Sequence, residues 1–165
     1  ISWKNSSRAF VKFMPRDNLS FNMSYNHSNE KNWLNWLDDN LLATYERKQR
    51  TSVFELEWFK NNKHELRIKA QLVAFTGRNP TPYLGDQKGK LTPTNISISP
   101  ITISELAFQV RYRYEIMPLS YLYLVYSKGG RVSLNDEEDD LSNLYRRPWN
   151  DPSDENFTVK LRYRF

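Results

Sequence analysis

The sequence predicts an all-β fold: an antiparallel, up-and-down transmembrane β-barrel, with about seven strands in this chain. Three observations predict it. Several segments alternate apolar and polar residues with strict period two, as a strand with one face in each of two environments must. The connections between them alternate short and long, the asymmetry of barrels whose short turns lie at one membrane surface and long loops at the other. Mean hydropathy is low at −0.76, and no run of 18 or more apolar residues exists to form a membrane helix. A barrel tolerates that low mean, because only every second residue of a strand meets lipid.

The first strand reads Arg8–Met14, with Ala9, Val11 and Phe13 on one face. Pro15-Arg-Asp-Asn18 supplies turn residues. The second strand, Leu19–Ser28, sets Leu19, Phe21, Met23 and Tyr25 against Ser20, Asn22, Ser24 and Asn26. A long polar connection is expected from Asn29 to about Asn40. The third strand, Tyr45–Phe59, has Phe54, Leu56 and Trp58 opposite Glu55 and Glu57, and its charged upper half, Glu46–Arg50, is expected to stand clear of a membrane. After the turn Asn61–Lys63, the fourth strand, Glu65–Phe75, sets Leu66, Ile68, Ala70 and Leu72 against Arg67, Lys69 and Gln71. Closing this hairpin with Lys60 opposite His64 places Glu57 beside Arg67, Glu55 beside Lys69 and Trp58 beside Leu66. Each opposite-charge pair is worth roughly 0.2–1 kcal/mol, and a one-residue slip would put charges on the apolar face.

A second long connection, Thr76–Ser99, leads to the fifth strand, Glu105–Ile116. Leu106, Phe108, Val110, Tyr112, Tyr114 and Ile116 face one way; Gln109, Arg111, Arg113 and Glu115 face the other. Met117–Ser120 turns the chain into the sixth strand, Tyr121–Ser127, where pairing with Ile116, Tyr114 and Tyr112 puts Leu122, Leu124 and Tyr126 on the apolar face. A third long connection, Lys128–Asn156, carries the acidic run Asp136–Asp140. The last strand is Phe157–Phe165, with Phe157, Val159, Leu161, Tyr163 and Phe165 alternating with Thr158, Lys160, Arg162 and Arg164. An eighth short strand, for instance around Asn95–Ile103, is the alternative count.

That ending resembles the carboxy-terminal insertion signal of bacterial outer-membrane barrels, in which a terminal Phe follows alternating apolar positions. The segment Phe108–Gly130, with Arg-Tyr-Arg-Tyr-Glu115, the Pro-Leu-Ser120 turn and Tyr-Ser-Lys-Gly129, resembles the last hairpin of a family of large Gram-negative outer-membrane barrels of undefined function. Phe54–Trp58, His64–Lys69 and Lys160–Phe165 are similar too, whereas Tyr121 stands where that family would have a polar residue. Members of the family resemble a family-nine carbohydrate-binding module followed by a long barrel. The resemblance implies that residues 1–165 are the carboxy-terminal segment of a larger barrel, with upstream strands and any amino-terminal domain absent. An odd strand count, an open sheet edge and an Ile1-Ser-Trp-Lys4 start without a secretory signal agree with that expectation.

The assignment of faces follows. Phe13, Leu19, Phe21, Met23, Phe54, Leu56, Trp58, Leu66, Ile68, Phe108, Val110, Tyr112, Tyr114, Leu122, Leu124, Phe157, Val159, Leu161 and Tyr163 are expected to face lipid. Lys12, Glu55, Glu57, Arg67, Lys69, Arg111, Arg113, Glu115, Lys160, Arg162 and Arg164 are expected to line the lumen, where a cationic excess favours anionic solutes or an acidic plug. The expected function is a pore or membrane anchor handling glycan-like or anionic solutes in the bacterial outer membrane. Expected partners are outer-membrane lipid, the barrel-assembly machinery acting on the terminal strand, and further strands or another chain at the open edge; no nucleic acid is expected. The alternative is a soluble all-β module whose basic face meets an anionic polymer, since the net charge is +5.

Catalysis, cofactors and metals are not expected. Cysteine is absent, and the two histidines, His27 and His64, fall at opposite strand ends. Lys128-Gly-Gly-Arg131 is not a phosphate-binding loop. The acidic run lacks the ligand spacing of a calcium loop and reads as a solvated surface. Trp33, Trp36, Tyr83 and Trp149 are candidates for stacking on sugars or for membrane-interface anchoring, with self-packing of loops as the simpler alternative.

Overall fold

A computed structural model of the chain describes residues 3–138 and 140–165, so Ile1, Ser2 and Asp139 of the acidic run lie outside the described residues. Seven long antiparallel strands form one meandering sheet: β1 (Trp3–Arg16), β2 (Leu19–Asp38), β3 (Leu41–Asn61), β4 (His64–Gly85), β6 (Ile101–Met117), β7 (Ser120–Leu134) and β8 (Asp154–Arg162). A three-residue strand, β5 (Leu91–Pro93), pairs only with the end of β4, and one helix, α1 (Leu141–Asn150), precedes β8. The short extra strand therefore lies a few residues before the stretch Asn95–Ile103; the end of that stretch begins β6. The sheet is open: β1 and β8 occupy its two edges and do not pair with each other.

At one end all three connections are two-residue turns, each with its own local chemistry. The Asn18 side chain donates to Phe59 O (2.7 Å), and the Phe59 amide donates to Asn18 O (2.8 Å), tying the first turn to β3. The Asn61 carboxamide oxygen accepts from the Lys63 and His64 amides, the local bond that lets Asn replace a backbone partner in a turn. Lys60 is the bulged residue and Asn61, not Lys60, stands opposite His64. The expected pairs Glu57–Arg67, Glu55–Lys69 and Trp58–Leu66 all form.

The β6–β7 register differs from the expected one by two residues: Leu122, Leu124 and Tyr126 pair with Tyr114, Tyr112 and Val110. A Pro118-Leu119 turn, with Leu119 at φ 66°, is tighter than a four-residue connection and slides β7 along β6. A two-residue slide preserves the face of every side chain, so Leu122, Leu124 and Tyr126 stay on the side of Tyr114, Tyr112 and Val110.

The other end departs further from expectation. Residues 29–40 do not form a long loop; β2 and β3 stay paired up to a tight turn at Asp39-Asn40. β4 likewise runs on to Gly85, and β7 to Leu134. Backbone ladder bonds need no apolar side chain, so polar composition did not stop these strands. Aromatic packing supports the extension: Trp33 stacks edge-on against Phe75 (5.2 Å) and lies 6.1 Å from Tyr45, with the Arg47 guanidinium over Trp33. Tyr45 is almost completely buried there, and burial pushes its hydroxyl above the ordinary tyrosine range.

At the carboxy terminus β8 starts earlier than expected, at Asp154, and ends at Arg162. Its partner β7 begins at Ser120, level with Tyr163, so residues 164 and 165 have no strand to pair with; the Arg164 amide instead donates to Ser120 Oγ (3.0 Å), and the ladder ends at Tyr121–Arg162. Tyr163, Arg164 and Phe165 are therefore not strand residues, contrary to the expected alternation through Phe165.

Candidate functional site

Register fixes the two faces, because directly paired residues project to the same side of a sheet. One row crosses all seven long strands: Phe13, Phe21, Leu56, Ile68, Val110, Tyr126 and Phe157. A parallel row carries Leu19, Trp58, Leu66, Tyr112, Leu124 and Val159. Toward the long-connection end follow Val11, Met23, Phe54, Ala70 and Phe108. Every strand residue expected to face lipid lies on this side; Tyr163 alone falls beyond β8. Two rows farther on, the same face is mixed: Ser7, His27, Arg50 and Ser104 share the row with Ala74 and Val132. The apolar rows thus form a belt at one end of strands that are up to 22 residues long. A membrane crossing needs only about 9–11 residues of a tilted strand.

The belt is not a dry core. Among the described residues the buried apolar ones are Ala43, Tyr45, Leu72, Ala74 and Leu144, whereas Val11, Met23, Val159 and Leu161 are each more than half exposed. One pair interrupts the apolar side: Lys128 and Glu155 face each other at 3.9 Å.

The opposite face carries the charges. Lys69 pairs with Glu55 (2.8 Å), Arg67 with Glu57 (3.6 Å) and Glu65, and Arg113 with Glu65 (2.8 Å). Lys12 and Glu55 share one row, and Glu115 pairs with Tyr121 and so with Arg162 in the next strand. All the strand residues expected to line a lumen therefore share this face; Arg164 lies past the strand end. Glu65, only 9% exposed and held between two guanidiniums, is the structural centre of the ladder. Glu65→Ala leaves two cations facing each other without their common acid and is expected to cost about 1.5–3 kcal/mol. The more exposed Glu57→Ala should cost less than about 1 kcal/mol. Denaturation midpoints of the two variants in one detergent check this ordering.

α1 was not foreseen. Asp140 caps it by accepting from the Ser142 amide (2.9 Å), and Leu144 and Pro148 are its buried side. It lies across the apolar face at the upper edge of the belt: Ser104 donates to Leu144 O, Tyr145 bonds Ser52, and Trp149 packs edge-on against Phe108 (5.3 Å). The signal was present in the sequence, since Leu141, Tyr145 and Trp149 repeat every fourth position behind an Asp, but Pro148 obscured it.

The remaining candidates do not come together. Trp33 is packed on Tyr45 and Phe75, Trp36 is exposed and donates to Asp39 O (3.0 Å), Tyr83 pairs with Leu42 and Pro93, and Trp149 belongs to α1. His64 Nδ1 lies 2.6 Å from the Tyr112 hydroxyl, while His27 stands beside Ser7 and Arg50. In the acidic run Glu137 pairs with Arg78, Glu138 with Arg147, and Asp140 caps α1. No group of three or more metal-ligating side chains occurs among the described residues, and none of the described helices is long and apolar enough to cross a membrane.

No family model matches the chain, and neither a curated protein nor a solved structure is significantly similar to it. What is shown is an all-β chain whose open antiparallel sheet carries an apolar belt on one face and a charged ladder on the other.

Proposed function

We propose that this chain is part of the wall of a bacterial outer-membrane β-barrel serving as a pore or membrane anchor for glycan-like or anionic solutes. The observation that carries the proposal is the belt: an apolar zone with exposed members on one face of the short-turn half of the sheet, backed by a charged face. Water penalises such a zone, and monomeric soluble proteins keep apolar patches small; hydrocarbon favours it. Open edges cannot persist in lipid, because unpaired backbone groups there have no water to bond. Further strands, or another chain, therefore pair with β1 and β8, and the likeness of residues 108–130 and 160–165 to the carboxy-terminal barrels of the Gram-negative family belongs to the same proposal. Assembly machinery acting on β8 and outer-membrane lipid around the belt are the partners this implies. Extraction from membranes is expected to require detergent, and the folded chain should migrate differently on gels before and after boiling. A monodisperse preparation that never meets detergent, with unchanged migration on boiling, would support the soluble module instead.

A further inference from the structure

Charge on the polar face is not evenly answered. On β3 and β4 each of Lys69 and Arg67 has a carboxylate partner, and Arg113 on β6 reaches back to Glu65. Toward β8 the acids are fewer, with Glu115 in the row of Tyr121 and Arg162. Arg67 and Arg111 stand directly opposite each other in the β4–β6 ladder; Arg67 is held by two acids, whereas Arg111 bonds Gln109 (3.4 Å) and pairs with no acid among the described residues. Arg111 also lines a cavity of about 240 Å³ with Gln109, Lys69, Arg67 and Glu57. Lys160 and Arg162 are exposed on β8 and form no ion pair with any described residue.

Two tyrosines stand between these cations. Arg113, Tyr123 and Lys160 form one cross-strand row, and Glu115, Tyr121 and Arg162 the next. The rings of Tyr121 and Tyr123 are 6.1 Å apart, and the Arg113 guanidinium sits 5.3 Å over Tyr121. From β6 to β8 the strip spans about 10 Å, and from Arg111 to the Arg113 row about 7 Å. That footprint suits an oligomer with spaced acid groups better than a single small ion.

We propose that this strip binds an acidic oligosaccharide, with Arg111, Lys160 and Arg162 holding its carboxylates and Tyr121 and Tyr123 lying against its ring faces. The proposal rests on the pore reading only in naming the solute that this face would meet. Charge-assisted bonds from a planar guanidinium to a carboxylate supply strength and direction. Tyrosine offers an apolar ring with a hydroxyl at its edge, matching a sugar that is apolar on its faces and polar around its rim.

The test uses the complete barrel that contains this chain, folded in detergent and titrated with trigalacturonate, maltotriose as the neutral trisaccharide, and tripolyphosphate as an anion without rings, followed by calorimetry. Trigalacturonate is expected to bind more tightly than both. Arg111→Gln and Lys160→Gln should each weaken it about tenfold or more, Tyr123→Leu should weaken it without altering its salt dependence, and Arg8→Gln, on the far strand, should leave it unchanged. Equal binding of maltotriose, equal binding of tripolyphosphate, or unchanged affinity in the Arg111→Gln/Lys160→Gln double variant would overturn the proposal. Flotation of the same samples with lipid vesicles separates the two claims. Binding without flotation overturns the membrane reading and leaves the strip standing; flotation without binding overturns the strip alone.

Discussion

Leu161→Arg is expected to keep the chain out of lipid vesicles, while Arg162→Leu assembles close to normally. The two positions are neighbours on β8, yet Leu161 pairs with Leu122 on the apolar face and Arg162 with Tyr121 on the charged one. Leu161 is 60% exposed with no protein layer over it, so what covers it is solvent of one kind or another. An arginine on the lipid side costs roughly 2–4 kcal/mol at the midplane and about 0–1 kcal/mol at the interface, and Leu161, in the row of Leu122 and Tyr114, lies toward the short-turn edge of the belt. At position 162 a leucine only removes one cation from a face that has others. Flotation yield and heat-dependent gel migration of the two variants measure the difference. Equal yields would mean that the two faces meet the same solvent.

Gly130→Val should release α1 from the sheet. A Cβ at Gly130 would lie 1.9 Å from Pro148 O, backbone that cannot swing away as a side-chain tip would. The helix must lift, taking Leu144 and Pro148 out of their buried seats and Trp149 off Phe108. Overpacking of this kind typically costs about 1–3 kcal/mol. Cleavage by trypsin after Arg146, within the helix, reports the change: rapid in Gly130→Val and slow in the parent protein. Gly129→Val is the control, because a Cβ there meets only ordinary contacts near 4 Å. Identical cleavage rates in parent and Gly130→Val would contradict the seating of α1.

These effects also mark what was legible in the sequence. Side chains alternate with period two and opposite charges meet across a hairpin, so the faces and the β3–β4 register could be read from Glu55, Glu57, Arg67 and Lys69 alone. The β6–β7 register could not, because nothing in Tyr121–Ser127, apolar on both faces, penalises a two-residue slide; the Pro118-Leu119 turn decided it. Polar residues 29–40 read as a loop because composition reports side chains, whereas the ladder between β2 and β3 is made by backbone. The end of β8 depended on where β7 begins, a fact that lies some forty residues away. The unanswered cations Arg111, Lys160 and Arg162 emerged only once the register showed which acids each could reach.

The most direct test of the central claim, that the two faces of β8 meet different solvents, uses the absence of cysteine from the chain. Single cysteines at positions 157 to 162, each carrying a fluorescent label, are reconstituted in vesicles and exposed to a lipid-borne quencher and to a water-soluble one. The account predicts alternation: 157, 159 and 161 quenched from the lipid, 158, 160 and 162 from water. Uniform quenching from water at all six positions would contradict it.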